Sequence, residues 1–241
     1  MYRLMHIIAL RTVKYNDRHS ILSAYSREAG RVSFLLPAGN GREASRRRAI
    51  TMPLTPIECV ASVRPDRDIH TMRDPRPLIA VHTIHTDPAR SAVALFLCEI
   101  LQVVLRENQP DEALFAFLSD AVERLNDPAL NPANFHLCFL YRLGRFIGIE
   151  PDTDSWAPGR VFDMVEGIFR ASPPMHTHYL NTSEAEVVAR MARMTWHNMP
   201  LYRFSRNERN EILDVILRYY TIHYTSMTSL RSLDVLRTLF S

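Results

Sequence analysis

The chain has 241 residues, 46% apolar and 23% charged, so a disordered chain is excluded and one large domain or two small ones can bury a real core. No run approaches the roughly 18 to 20 apolar residues of a helical membrane span, and Met1–His6 lacks the apolar segment and cleavage site of a secretory leader, so a cytoplasmic protein is expected. The net charge of +3 is uneven: residues 1–90 hold fifteen bases against eight acids and the remainder fourteen against eighteen, which points a polyanion partner at the front and protein contacts at the back.

Residues 5–76 read as strands. Met5–Tyr15 carries Ile7, Ile8, Leu10 and Val13, and Asn16-Asp17 makes a turn. Ser20–Ser26 alternates around Leu22 and Ala24, and Glu28-Ala29-Gly30 turns into Arg31–Pro37, with Val32, Phe34 and Leu36 on one face. A loop bearing Gly39 and Gly41 then ends in Arg46-Arg47-Arg48, with Arg42 just before. Only Glu43 lies close enough in sequence to pair with these arginines. Leu54–Val63 and a short strand from Ile69 to Arg73 follow, separated by the turn Pro65–Asp68. Five short strands at regular turn spacing predict a small closed barrel of OB-fold size, in residues 1–80.

Residues 81–241 read as a helical domain, giving an α+β chain with strands first and helices after. Asp87-Pro88 starts a helix through Leu105 with apolar residues at three–four spacing, and Pro110-Asp111 starts a second. A third runs from Asn131-Pro132 to Gly148 and is apolar on much of its circumference. Residues 151–181 read as an irregular insert. Ser183–Glu186 and Ser205–Glu208 read as capping boxes opening two helices, and Leu230, Leu233, Leu236 and Phe240 mark a last one.

Catalytic signals are weak. Gly39-Asn40-Gly41 is followed by no βαβ unit, and Lys14, the single lysine, stands in no phosphate-binding loop. The pairs His82/His85 and His176/His178 lack helical zinc spacing, and Cys59, Cys98 and Cys138 are odd in number and far apart, as reduced buried thiols are. Asp66/Asp68 and Asp152/Asp154 fit solvated turns better than a nuclease metal site. No metal, cofactor or enzymatic activity is therefore expected. The bases are more telling. Arg11 and Lys14 on the first strand, Arg42, Arg46, Arg47 and Arg48 on the loop, and Arg64 and Arg67 around the next turn would line one groove of a barrel. Tyr15 and Tyr25 could stack bases, while Phe34 fits the core better.

These segments, taken in order, resemble the bacterial DNA repair protein RecO family. Ile8–Asp17 is similar to that family's first strand and turn, and Ser23–Arg31 to its second hairpin. Asn134–Gly148 and the tail from Tyr219-Tyr220 resemble its helical half, especially in Bacteroidetes-type members. The resemblance implies an OB-fold and a helical domain in a recombination mediator. Such a protein binds single- and double-stranded DNA, anneals complementary strands and, with RecR, helps load RecA onto strands covered by single-strand-binding protein (SSB). A nucleoid-associated location in the cytoplasm goes with that role. Family DNA contacts would fall on Arg11, Lys14, Arg42 and Arg46–Arg48, and contacts to the SSB tail on the helical domain, where Arg142 and Arg145 are candidates. Many members also hold zinc on four cysteines, but residues 151–181 contain none. A different class stays open: a helical protein-interaction scaffold whose barrel takes a peptide rather than DNA.

Overall fold

The computed structural model describes residues 2–64, 66–105, 109–225, 227 and 230–239. It has an α+β architecture that divides into two compact units, Met1–Pro128 and Ala129–Ser241.

In the first unit, β1 (Arg3–Lys14), β2 (His19–Ser26) and β3 (Gly30–Pro37) form an antiparallel meander. Helix α1 (Arg42–Ile50) follows, then β4 (Pro56–Ser62) returns to pair with β1, and β5 (Thr71–Pro77) pairs with β4. The sheet order is β3-β2-β1-β4-β5. Period-two alternation puts Met5, Ile7 and Ala9 on one face with Leu22, Val32, Phe34, Leu36, Ile57 and Cys59, and Ile50 of α1 joins them. Burying each large side chain of this set contributes roughly 1.5–3 kcal/mol.

The five-stranded sheet does not close into the expected barrel, and its two ends meet at one point only. Leu35 N–H donates to the His70 carbonyl and His70 N–H to the Ser33 carbonyl, both at 2.8 Å, as a single parallel bridge at Phe34 and His70. Beyond it β5 carries Pro75 and Pro77, which have no N–H, and Asp74 turns to φ 50°, so a regular ladder cannot continue. His70 is buried, and burial with the nearby Arg67 lowers the pKa of its imidazole, while the bridge itself is made by its backbone N–H and carbonyl.

Helices α2 (His82–Thr86), α3 (Pro88–Val104) and α4 (Glu112–Asn126) complete this unit. The Asp87 and Asp111 side chains accept from Arg90 N–H and Leu114 N–H, the N-caps read from the sequence. Arg31 fastens β3 to the end of α3, donating to the carbonyls of Gln102 and Leu105 at 2.9 and 3.0 Å. Ile8 and Leu10 on the second face of β1 are also buried, so that strand is covered on both sides.

The second unit holds α5 (Phe135–Phe146), α6 (Thr182–Ala192), α7 (Arg206–His223) and α8 (Leu233–Leu239). Phe240, which the sequence places in the last helix, lies outside the described residues. Gly148 stands just past α5 at φ 75°, the left-handed position that favours glycine. The segment read as irregular is ordered: β6 (Val161–Asp163), β7 (Ile168–Arg170) and β8 (Tyr179–Leu180) form a small antiparallel sheet in the order β7-β6-β8. The helical half is therefore not all helical. Strands of two and three residues are too short to show a period in the sequence.

Candidate nucleic-acid interface

The stretch expected to be a glycine-bearing loop is largely helix α1, a correction with a clear local cause. Glu43 sits in its first turn and Arg47 and Arg48 in its last, each favourable to the helix dipole. Ala44 and Ile50 are its only buried residues, so no apolar stripe announced it. The opposite face exposes Arg42, Ser45, Arg46 and Ala49.

The arginines of α1 are not equivalent. Arg47 is half-buried and committed, donating from Nη1 to the Pro37 carbonyl at 2.7 Å and from Nη2 to Glu43 at 3.0 Å. Arg48 donates to the Gly39 carbonyl at 2.8 Å and to Ser45 Oγ at 2.9 Å, with no acid partner among the described residues. Arg42 and Arg46 are exposed and pair with no carboxylate among the described residues.

Helix α1 is a ridge between two open grooves, each of about 420 Å³. One runs against the β1–β2 end of the sheet and is lined by Lys14, Asp17, Ser20, Arg47 and Arg48. The other runs against β5 and is lined by Glu43, Arg46, Arg47, Asp74 and Arg76. Leu36, Pro37 and Arg47 border both. The structure thus brings Lys14, Arg47 and Arg48 together on one flank and Arg46 and Arg47 on the other. Arg11, Arg42, Arg64 and Arg67 are exposed but line neither, so the expected single groove is not what forms. Lys14 is paired with Asp17 at 2.7 Å, a surface pair of little net worth.

Arg76 lies beyond Arg73, where the sequence places the end of the last strand; β5 runs on to Pro77, since a strand at a sheet edge tolerates proline. The aromatic expectations divide. Tyr15 is well exposed beside the β1–β2 turn, whereas Tyr25 is 2% exposed and its hydroxyl accepts from Asp111 N–H at 3.3 Å. Tyr25 is therefore core and offers no stacking face, and Phe34 is fully buried.

In the second unit, Arg142 is half-buried and donates to the Met194 carbonyl at 2.8 Å, while Arg145 is exposed in the last turn of α5. The zinc that many family members carry does not fit the residues present. Cys59 and Cys98 are buried on separate elements of the first unit, with burial pushing both thiols up to about 12. The 151–181 segment is instead held by the buried Asp163 carboxylate. It accepts from the N–H groups of Val165 and Glu166 and from Arg170 Nε at 2.8 Å, and His176 lies 3.4 Å away. Burial opposes ionisation of Asp163, but those partners outweigh it and hold the pKa below the usual carboxylate range.

Comparison with known proteins agrees with this fold. Residues 4–78 match the family described as Recombination protein O N terminal, and residues 85–234 match Recombination protein O C terminal. A protein of Phocaeicola vulgatus named DNA repair protein RecO is 36% identical over 234 residues, covering 97% of both chains. Those so named in Porphyromonas gingivalis and Flavobacterium johnsoniae are 35% and 28% identical, over 239 and 236 residues and the same 97% of each chain.

The chain belongs to the RecO family of DNA repair proteins.

The N-terminal match ends at residue 78, at the close of β5, and so includes the sheet, α1 and both grooves. No described helix is long and apolar enough to cross a membrane.

Proposed function

We propose that this chain is a non-enzymatic recombination mediator. It binds single- and double-stranded DNA through α1 and its two flanks and anneals complementary strands. With RecR it helps load RecA onto SSB-coated DNA, in the cytoplasm and at the nucleoid. In this reading residues 1–80 meet nucleic acid and residues 81–241 meet proteins. The observation that carries it is the exposed row of Arg42, Arg46 and Arg48, none paired with a carboxylate among the described residues, beside two basic-lined grooves. Cations not paired with a carboxylate are the ones that gain most from phosphates, because no ion pair has to be broken. Arg11, Arg64 and Arg67 would add long-range attraction from the rest of the surface. For the acidic SSB tail, Arg145 is the better candidate, since Arg142 is already engaged by a carbonyl.

The test is binding of a fluorescent oligonucleotide across a salt series. Three arginines without a carboxylate partner, each contributing roughly −0.7, predict a log–log slope of about −2 for a single strand. The Arg46→Ala/Arg47→Ala/Arg48→Ala variant should lose most of that slope. Tight wild-type binding with no salt dependence, or a variant that binds as the wild type does, would sink the assignment to α1.

A further inference from the structure

The geometry points to α1 as a helix that seats in the major groove of duplex DNA, with one phosphate backbone in each of the two grooves that flank it. The inference rests on the DNA-binding reading above and specifies how the product of annealing would be held.

The argument begins with dimensions. An α-helix with its side chains is about 10–12 Å across, and the major groove of B-form DNA is about 12 Å wide, whereas the minor groove is only about 6 Å wide. Nine residues at about 1.5 Å each make a ridge of roughly 13.5 Å, about four base steps at 3.4 Å. Duplex phosphates therefore lie one helix-width apart across the major groove, as the two grooves lie across α1.

The side chains agree with that seating. Toward the sheet α1 presents Ala44, Arg47 and Ile50, which fix it there. Toward solvent it presents Arg42 and Arg46, four residues apart, and beside them the small residues Ser45 and Ala49, also four apart. Small side chains allow close approach to base edges, while the two arginines reach outward. One flank offers Lys14, Arg47 and Arg48 against a single acid, Asp17. The other offers Arg46, Arg47 and Arg76 against Glu43 and Asp74. With Arg47 counted once, on the flank where it pairs with Glu43, each flank keeps a single net positive charge, as two backbones require, and a site for one strand would need only one.

The experiment uses the full wild-type chain and two duplexes of one sequence. In the second duplex every cytosine carries a glucosylated hydroxymethyl group at C5, which fills the major groove. The modification should weaken duplex binding by about tenfold or more, and leave the unpaired modified strand within about twofold of the unmodified one. A minor-groove ligand should leave duplex binding unchanged. Equal affinity for both duplexes, or displacement by the minor-groove ligand, overturns the proposal while the wider DNA-binding reading stands. If the wild type binds neither single nor double strands at low salt, both fall together. As a second arm, Arg46→Ala/Arg76→Ala and Lys14→Ala/Arg48→Ala each remove two cations from one flank and leave Arg47 in place. Each should flatten the duplex salt slope by about 1.8, two contacts at roughly 0.9. A full slope retained by either pair shows that its flank carries no backbone.

Discussion

Arg46 and Arg47 are neighbours in sequence but differ in what they are free to do. Arg47 ties the middle of α1 to the end of β3 through the Pro37 carbonyl, whereas Arg46 projects from the ridge. Arg47→Ala removes that hydrogen bond and packing under the helix, for a loss of about 1 kcal/mol in unfolding free energy. Arg46→Ala should stay within about 0.5 kcal/mol of wild type. DNA binding should respond the other way, with the single-strand salt slope falling by about 0.7 for Arg46→Ala. Chemical denaturation paired with the salt series checks both. If Arg47→Ala lost only DNA affinity, its bond to Pro37 would have no structural worth. That a basic cluster is present was plain from the sequence. Which of its members are free was not, because Arg47 is engaged by a carbonyl ten positions earlier, brought near only when β3 and α1 pack.

At the scale of elements, legibility followed the length of the periodic signal. The strands of the first unit and the long helices appear close to where alternation and three–four spacing put them. Helix α1 and the small sheet do not, since one lacks an apolar stripe and the other has strands too short to alternate. Helix starts were legible where the cap was unambiguous. Ser205 caps α7, accepting from Glu208 N–H at 3.2 Å while the Glu208 carboxylate accepts from Ser205 N–H at 2.8 Å. For α6 the box lies two residues earlier than the sequence suggested. Asn181 accepts from Glu184 N–H at 3.0 Å, the Glu184 carboxylate accepts from Asn181 N–H at 2.9 Å, and Ser183 is already inside the helix. Two acceptors two residues apart, Asn181 and Ser183, each followed three positions on by Glu, made the choice ambiguous from sequence alone. Asn181→Ala should therefore cost about 1 kcal/mol, and Ser183→Ala only a few tenths, in the same denaturation assay. The opposite order would return the cap to Ser183.

For the molecule as a whole, the uneven charge read from the sequence places the basic excess in the half that carries α1 and its grooves, but it says nothing of the groups that set its response to acid. His136 on α5 is one of them. It is 3% exposed, and burial, with Arg209 nearby, lowers its pKa to about 3. An unfolded histidine titrates near 6.5, so below that pH the unfolded chain takes up a proton that the folded chain refuses. The stability His136 contributes is present in full above about pH 6.5 and is lost as pH falls toward 3, at roughly 1.4 kcal/mol per pH unit. Asp163 and Glu28 act later. At Glu28 burial opposes ionisation, but hydrogen bonds from His6 and Ser26 outweigh it and hold the carboxyl low. The contribution of both carboxylates is present above about pH 4 and is lost only below it. Loss of stability should thus begin near pH 6 and steepen below 4. His136→Leu should remove most of the slope between about pH 6 and 4, leaving the share of His70, whose pKa burial also lowers, and the steeper fall below 4, as read by thermal unfolding across that range. A wild-type melting temperature that stays flat from pH 6.5 to 4 would mean that the buried imidazole takes up its proton without unfolding the helices around it.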